Sequence, residues 1–138
     1  MQTVLTWSEG LAFEGQSESG FTVNLDADEA VGGKGGGMRP MELLALGLGG
    51  CTGMDVVSIL QKKRQQISAF EVRVHTEKAE DHPKVWTSVV IEYLVTGTDI
   101  DPQAIERAID LSAAKYCPAQ NMINQAVEIE HRYQILTA

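Results

Sequence analysis

From Arg39 to Leu60 the chain reads RPMELLALGLGGCTGMDVVSIL, a helix-length segment that is apolar or small on almost every side. Pro40 suits the first helical position, where its missing N–H costs nothing. Helical periodicity then holds to about Gln65, with Leu44, Leu48, Cys51, Asp55 and Ser58 on one stripe and Leu43, Leu46, Gly50, Met54 and Val57 on the next. A helix without a polar face belongs in a core or a bilayer. Glu42, Asp55 and five glycines or serines interrupt the run Met41–Leu60, which argues against a membrane span and for a buried helix. A chain of 138 residues is expected to form one domain over 1–138. In so small a domain, burial all round such a helix calls for a second subunit as well as the chain's own sheet.

The flanking segments predict an α+β fold. TVLTW, LAFEG and FTVNLD read as strands of an antiparallel meander, with Gly10, Gly15 and Gly20 as turn markers. VGGKGGGM, with five glycines in eight residues, reads as a flexible loop. After the helix, AFEVRVHTE and KVWTSVVIEYLVTG alternate as two strands around the turn KAEDHPK. Asp101 and Pro102 cap and start a second helix, PQAIERAIDLSAAKY, with Ile105, Ala108, Ile109 and Ser112 facing inward. A short third helix follows Cys117-Pro118, and AVEIEHRYQIL closes the segment as a strand.

Charge and cysteine usage narrow the function. A net charge of -8 opposes a nucleic-acid partner, and the densest basic cluster, Lys62, Lys63 and Arg64, suits a helix end. MQTVLTWSEG has neither the basic region nor the apolar core of a signal peptide, so a cytoplasmic protein is expected. Its two cysteines stand 66 positions apart, outside any CxxC pair, and His75, His82 and His131 are scattered. Neither a structural disulfide, a metal nor a cofactor is expected.

Three features could carry chemistry. GGKGGG before a helix invites a phosphate-loop reading, but Lys34 is followed by Gly35 and the helix opens only at Pro40. Cys51 reads as a small core side chain or as a reactive thiol. Asp55 one turn on and the apolar surround both oppose a thiolate, and the nearest cations along the chain are Arg39 and Lys34. Cys117 precedes Pro118 at a helix start, where free N–H groups and the dipole favour a thiolate, so by this argument it is the more acidic thiol. Two such cysteines allow a peroxidatic and a resolving role, in which a sulfenic acid on one condenses with the other.

RPMELLALGLGGCTGMDVV, followed about 65 residues later by AAKYCPAQNMI, resembles the signature of the OsmC and Ohr family of thiol-dependent peroxidases, in its OsmC-like branch. The order of elements is similar over essentially the whole chain. The resemblance implies an OsmC-like fold of antiparallel sheets around a long buried central helix. It also implies an intertwined homodimer whose central helices pack together, with active sites at the interface. Gly47, Gly49, Gly50 and Gly53 agree, since they let helix backbones approach closely. It further implies that Cys51 attacks an organic hydroperoxide, that Cys117 resolves the product into a disulfide, and that an external dithiol reduces it.

One departure from the family matters. Its peroxidases carry a glutamate ten residues before the first cysteine, holding an arginine over the thiolate; here that position is Met41 and the acid is Glu42. One residue turns a side chain about 100° around a helix, and nine residues separate Glu42 from Cys51 by roughly 13 Å along the axis. Glu42 reads equally as a first-turn carboxylate favoured by the dipole. Arg39 is the candidate arginine. The two function classes are therefore a peroxidase using Cys51, Cys117, Arg39 and Glu42, and a non-catalytic dimer that binds an apolar ligand or senses redox state. Tyr116, Met54 and Met122 are candidates to line an apolar substrate pocket or to fill the core.

Overall fold

The N-terminal strands pair as a meander. In the computed structural model, which describes residues 1–138, β1 (Val4–Glu9), β2 (Ala12–Gln16) and β3 (Thr22–Leu25) form an antiparallel sheet in that order. Gly10 and Gly20 occupy the turns at φ of 55° and 95°, where a side chain would be strained. Gly15, expected at a turn, lies inside β2 opposite Leu5 and Val23, because the first turn is already closed at Gly10. These strands belong to the first of two compact units, Met1–Ala45 and Leu46–Ala138.

The glycine-rich segment is more ordered than its composition suggests. Asp26 is 5% exposed, and its carboxylate accepts the backbone N–H of Ala27 at 2.7 Å, Gly36 at 3.1 Å and Lys34 at 3.3 Å. Those backbone donors hold the Asp26 carboxyl below its usual range. A Cβ on Gly37 would fall 2.5 Å from the Asn24 carbonyl oxygen, so glycine serves close backbone approach here as well as flexibility. Asp26 is the one buried residue of the first unit. Its large apolar side chains, among them Leu5, Trp7 and Phe21, stay exposed in the single chain.

The second unit is built on β4 (Gln66–Lys78), β5 (Trp86–Thr98) and β6 (Ile129–Thr137). β4 and β5 are antiparallel, whereas β5 and β6 are parallel, which departs from the all-antiparallel expectation. The reason is the connection: α2 (Pro102–Leu111), a π-helical turn (Ser112–Tyr116) and α3 (Pro118–Ile123) carry the chain back across the sheet before β6 starts. The Asp101 side chain caps α2 by accepting the Gln103 N–H at 3.0 Å. The helix expected to reach Tyr116 keeps that extent, but its last turn widens, and the Cys117 N–H reaches the Ser112 carbonyl at 2.8 Å.

Val89, Ile91, Tyr93 and Val95 of β5 form the core with Ile105, Ala108 and Ile109 of α2. The long helix α1 (Pro40–Lys62) adds Leu48, Val56 and Leu60, and its buried stripe also includes Gly49, Thr52 and Gly53. A Cβ on Gly49 would sit 3.0 Å from Val74 Cγ2, and one on Gly53 3.2 Å from Val72 Cγ2, so these two glycines seat α1 on β4. Gly47 and Gly50 face open space. Within one chain, then, half of the expected helix–helix glycines serve the sheet instead. The helix is also not buried all round, since Leu44, Leu46 and Met54 are exposed. By length and hydropathy α1 could cross a membrane, yet it carries this packed stripe. Gly49→Val should destabilise the protein by roughly 1–3 kcal/mol through overpacking against Val74, read as a lower midpoint in urea unfolding.

Candidate active site

Cys51, half-buried on α1, and Cys117, wholly buried at the N-cap of α3, are neighbouring free thiols. The backbone N–H of Gln120 donates to Cys117 Sγ at 3.3 Å, the cap interaction that the helix start predicts. The expectation that Cys117 is thereby made acidic fails. Burial pushes its thiol up to about 11, the adjoining Cys51 and the Asp55 carboxylate push the same way, and the Gln120 N–H opposes them only in part. A six-residue helix and one N–H cannot offset the loss of water around a charged sulfur. Cys117 therefore keeps its proton at neutral pH.

Beside the thiols lies a hydrogen-bonded network that no motif announced. Ser112 donates to Asp55 Oδ2 at 2.8 Å. Having given its only hydrogen to that carboxylate, the hydroxyl accepts from its other partners. These are the Thr52 hydroxyl at 2.8 Å and the Gln120 side-chain amide at 3.3 Å. Thr52, donating to Ser112, accepts from the Tyr93 hydroxyl at 2.8 Å. The resulting chain runs one way, Tyr93 to Thr52 to Ser112 to Asp55. Gln120, with its NH₂ turned to Ser112, presents Oε1 to His131 Nε2 at 2.6 Å, which places the imidazole proton on Nε2. The His131 ring stacks on Tyr93 with centroids 6.2 Å apart, and burial lowers its pKa, so it stands neutral. Tyr93 is pushed up to about 12, chiefly by burial. Every buried side-chain polar atom has a partner. Of these residues the sequence singled out Asp55, as an opponent of the thiolate, and the inward Ser112. Thr52, Tyr93, Gln120 and His131 come from four separate elements, and only the fold assembles them.

The two charged candidates bind each other. The Arg39 guanidinium donates to both Asp28 oxygens, at 3.1 and 2.9 Å, and to Glu42 Oε2 at 3.3 Å. Glu42 Oε1 accepts the Arg39 backbone N–H at 2.8 Å, which fastens the start of α1. Arg39 N–H donation holds Glu42 below its ordinary range, while the carboxylates raise Arg39. This is the first-turn role that Glu42 could have by its position alone. Tyr116, Met54 and Met122 are exposed in the single chain and fill no core.

The shifted thiol makes a prediction. Cys117 binds its proton more tightly folded, with a pKa of about 11, than at its ordinary 9.0. That stabilisation is complete below pH 9.0 and is lost as pH rises through about 11. Urea midpoints measured across this range should fall steeply for the parent protein and less steeply for Cys117→Ala, with Tyr93 contributing the remaining fall toward about 12.

Residues 33–132 match the family described as OsmC-like protein. Protein YhfA of Escherichia coli K12 is 41% identical over 138 residues, the full length of both chains. A hypothetical protein of Aquifex aeolicus has a solved structure with a TM-score of 0.87 and 28% identity, covering 99% of this chain and 96% of that one. An organic hydroperoxide resistance protein OsmC of Legionella pneumophila shares the fold at a TM-score of 0.69 and 16% identity, with 97% of each chain covered. The chain thus carries the OsmC-like fold from end to end and belongs to the OsmC-like family.

Proposed function

We propose that the protein is a thiol-dependent peroxidase that reduces organic hydroperoxides in oxidative-stress defence, acting in the cytoplasm as a single-domain homodimer. The observation that carries this reading is the pairing of two neighbouring free thiols of unequal burial, with Cys51 acting directly on Cys117. Two neighbouring sulfurs resist carrying two negative charges, and the deeper one holds its proton. Cys117 therefore keeps its S–H beside Cys51, and Cys51, the sulfur nearer to solvent, is the one open to a peroxide. This division agrees with the roles that the family resemblance implies and reverses the one drawn from the helix dipole.

In the proposed cycle the Cys51 thiolate attacks one peroxide oxygen. An S–O bond forms, the O–O bond breaks, and the alkoxide leaves as alcohol on taking a proton. Cys117 sulfur then attacks the Cys51 sulfenic acid, the S–O bond breaks, and hydroxide departs as water with the Cys117 proton. An external dithiol restores both thiols. The organic hydroperoxide resistance protein from Legionella, similar in fold, supports the substrate class. Exposed Leu44, Leu46 and Met54 on α1, with Gly47 and Gly50 open between them, and the uncovered Leu5, Trp7 and Phe21 of the first unit support a partner subunit. Arg39 and Glu42 enter the proposal as catalytic candidates across that partner.

A non-catalytic redox-sensing or ligand-binding role is favoured by one observation, the Asp55 carboxylate bearing on the Cys117 thiol where a peroxidase gains from a cation. Reduced protein mixed with one equivalent of cumene hydroperoxide separates the two. The peroxidase loses both thiols at once into a Cys51–Cys117 disulfide, seen by mass spectrometry; Cys117→Ser stops at a Cys51 sulfenic acid, and Cys51→Ser does not react. Thiols that survive for many minutes would refute peroxidase activity. Sedimentation should return twice the chain mass.

A further inference from the structure

Cys117 is held from two sides. Its N–H is bound to the Ser112 carbonyl at 2.8 Å across the π-helical turn, and its Sγ receives the Gln120 N–H at 3.3 Å. The Gln120 side chain, 2% exposed, closes this arrangement by donating to the Ser112 hydroxyl at 3.3 Å and accepting from His131 Nε2 at 2.6 Å. α3 has only six residues, too few to keep its own first turn rigid. His131 projects from β6, which is locked to β5 from Val89↔Ile129 to Gly97↔Thr137, and its ring is braced against Tyr93. The strand therefore supplies the fixed end of a lever, and Gln120 transmits it to the cap.

We propose that Gln120 and His131 are positioning residues for the thiol of Cys117: His131 orients the Gln120 amide, Gln120 fixes the turn that aims Cys117 Sγ at Cys51, and the pair sets how fast the disulfide closes. The inference rests on Cys117 being the resolving thiol of the proposed function. Packing alone would not require a hydrogen-bond donor at position 131, since an aromatic ring would satisfy the stack on Tyr93. The donor is needed because Gln120 Oε1 is buried and would otherwise be left unpaired, free to turn away from Ser112 and slacken the cap. Loss of alignment between reacting atoms slows an intramolecular step far more than it weakens a fold.

Disulfide closure can be timed without a peroxide. Methyl methanethiosulfonate transfers its methylthio group to the Cys51 sulfur as the S–S bond of the reagent breaks and methanesulfinate leaves. Cys117 sulfur then attacks Cys51 sulfur and expels methanethiol, which takes the Cys117 proton. Stopped samples read by mass spectrometry give both rates. His131→Phe keeps the ring but not the donor, and Gln120→Met keeps the bulk and the backbone N–H but not the amide. Both should close about tenfold more slowly or worse, with the first step unchanged, and His131→Gln, which restores a donor, should recover most of the rate. Closure at the parent rate in either variant, or His131→Gln as slow as His131→Phe, overturns the inference. Thermal midpoints identify a variant that has lost its fold, and Gln120→Met and His131→Phe each suffice alone. A parent protein that ignores cumene hydroperoxide yet closes from the adduct in this His131-dependent way would sink the peroxidase and leave the positioning intact.

Discussion

Ser112 is the point at which α1, α3 and the cysteine-bearing turn are tied together, with β5 joined through Thr52 and Tyr93. Its carbonyl fixes the Cys117 N–H, and its hydroxyl meets Asp55 and Thr52 from α1 and Gln120 from α3. A hydroxyl buried to this degree must find partners or cost the fold several times what a made bond contributes. It finds three, and because one is a carboxylate, the direction of the bonds around it is settled. The widened turn that begins at Ser112 follows from the same demand. A plain α-helical turn would bring the Ser112 carbonyl to residue 116, and the extra residue places Cys117, not Tyr116, over the network.

The same geometry explains how α1 serves two purposes. On one side Gly49 and Gly53 let it settle onto Val72 and Val74 of β4, with Leu48, Val56 and Leu60 completing the apolar contact. Thr52 stands in the middle of that stripe, a polar residue admitted because Tyr93 and Ser112 satisfy it. Cys51 and Asp55 flank it half-buried. Cys51, the proposed nucleophile, therefore rides on a helix seated against the sheet and not on a loop.

Much of this was legible in the residues. The α+β order, Pro40 and Pro102 as helix starts, Asp101 as a cap and the inward Ile105, Ala108 and Ile109 follow from spacing and local chemistry alone. The parallel pairing of β6 was not, because strand direction is decided by where α2 and α3 carry the chain. Nor could periodicity separate the two sides of α1: with apolar or small residues all round, the segment offers no polar face to mark the outside, and the buried stripe runs through Thr52, which reads as polar. Asp26 is illegible for a similar reason, since a lone aspartate beside a glycine-rich loop shows its role only once three backbone N–H groups converge on it.

The cysteine pair shows why local rules can reverse on assembly. At a helix start an isolated thiol gains from unpaired N–H groups, and Cys117 does receive one. The fold then removes its water entirely, sets a second sulfur against it and leaves a carboxylate within range. Desolvation acts on the whole charge of a thiolate, whereas the cap offers a fraction of one, so burial decides. In the proposed cycle a proton retained on Cys117 is an advantage for a resolving thiol, since it leaves as water only once Cys51 has been oxidised. Unequal burial, with Cys51 and Asp55 acting in the same sense on Cys117, thus gives two chemically identical side chains different settings.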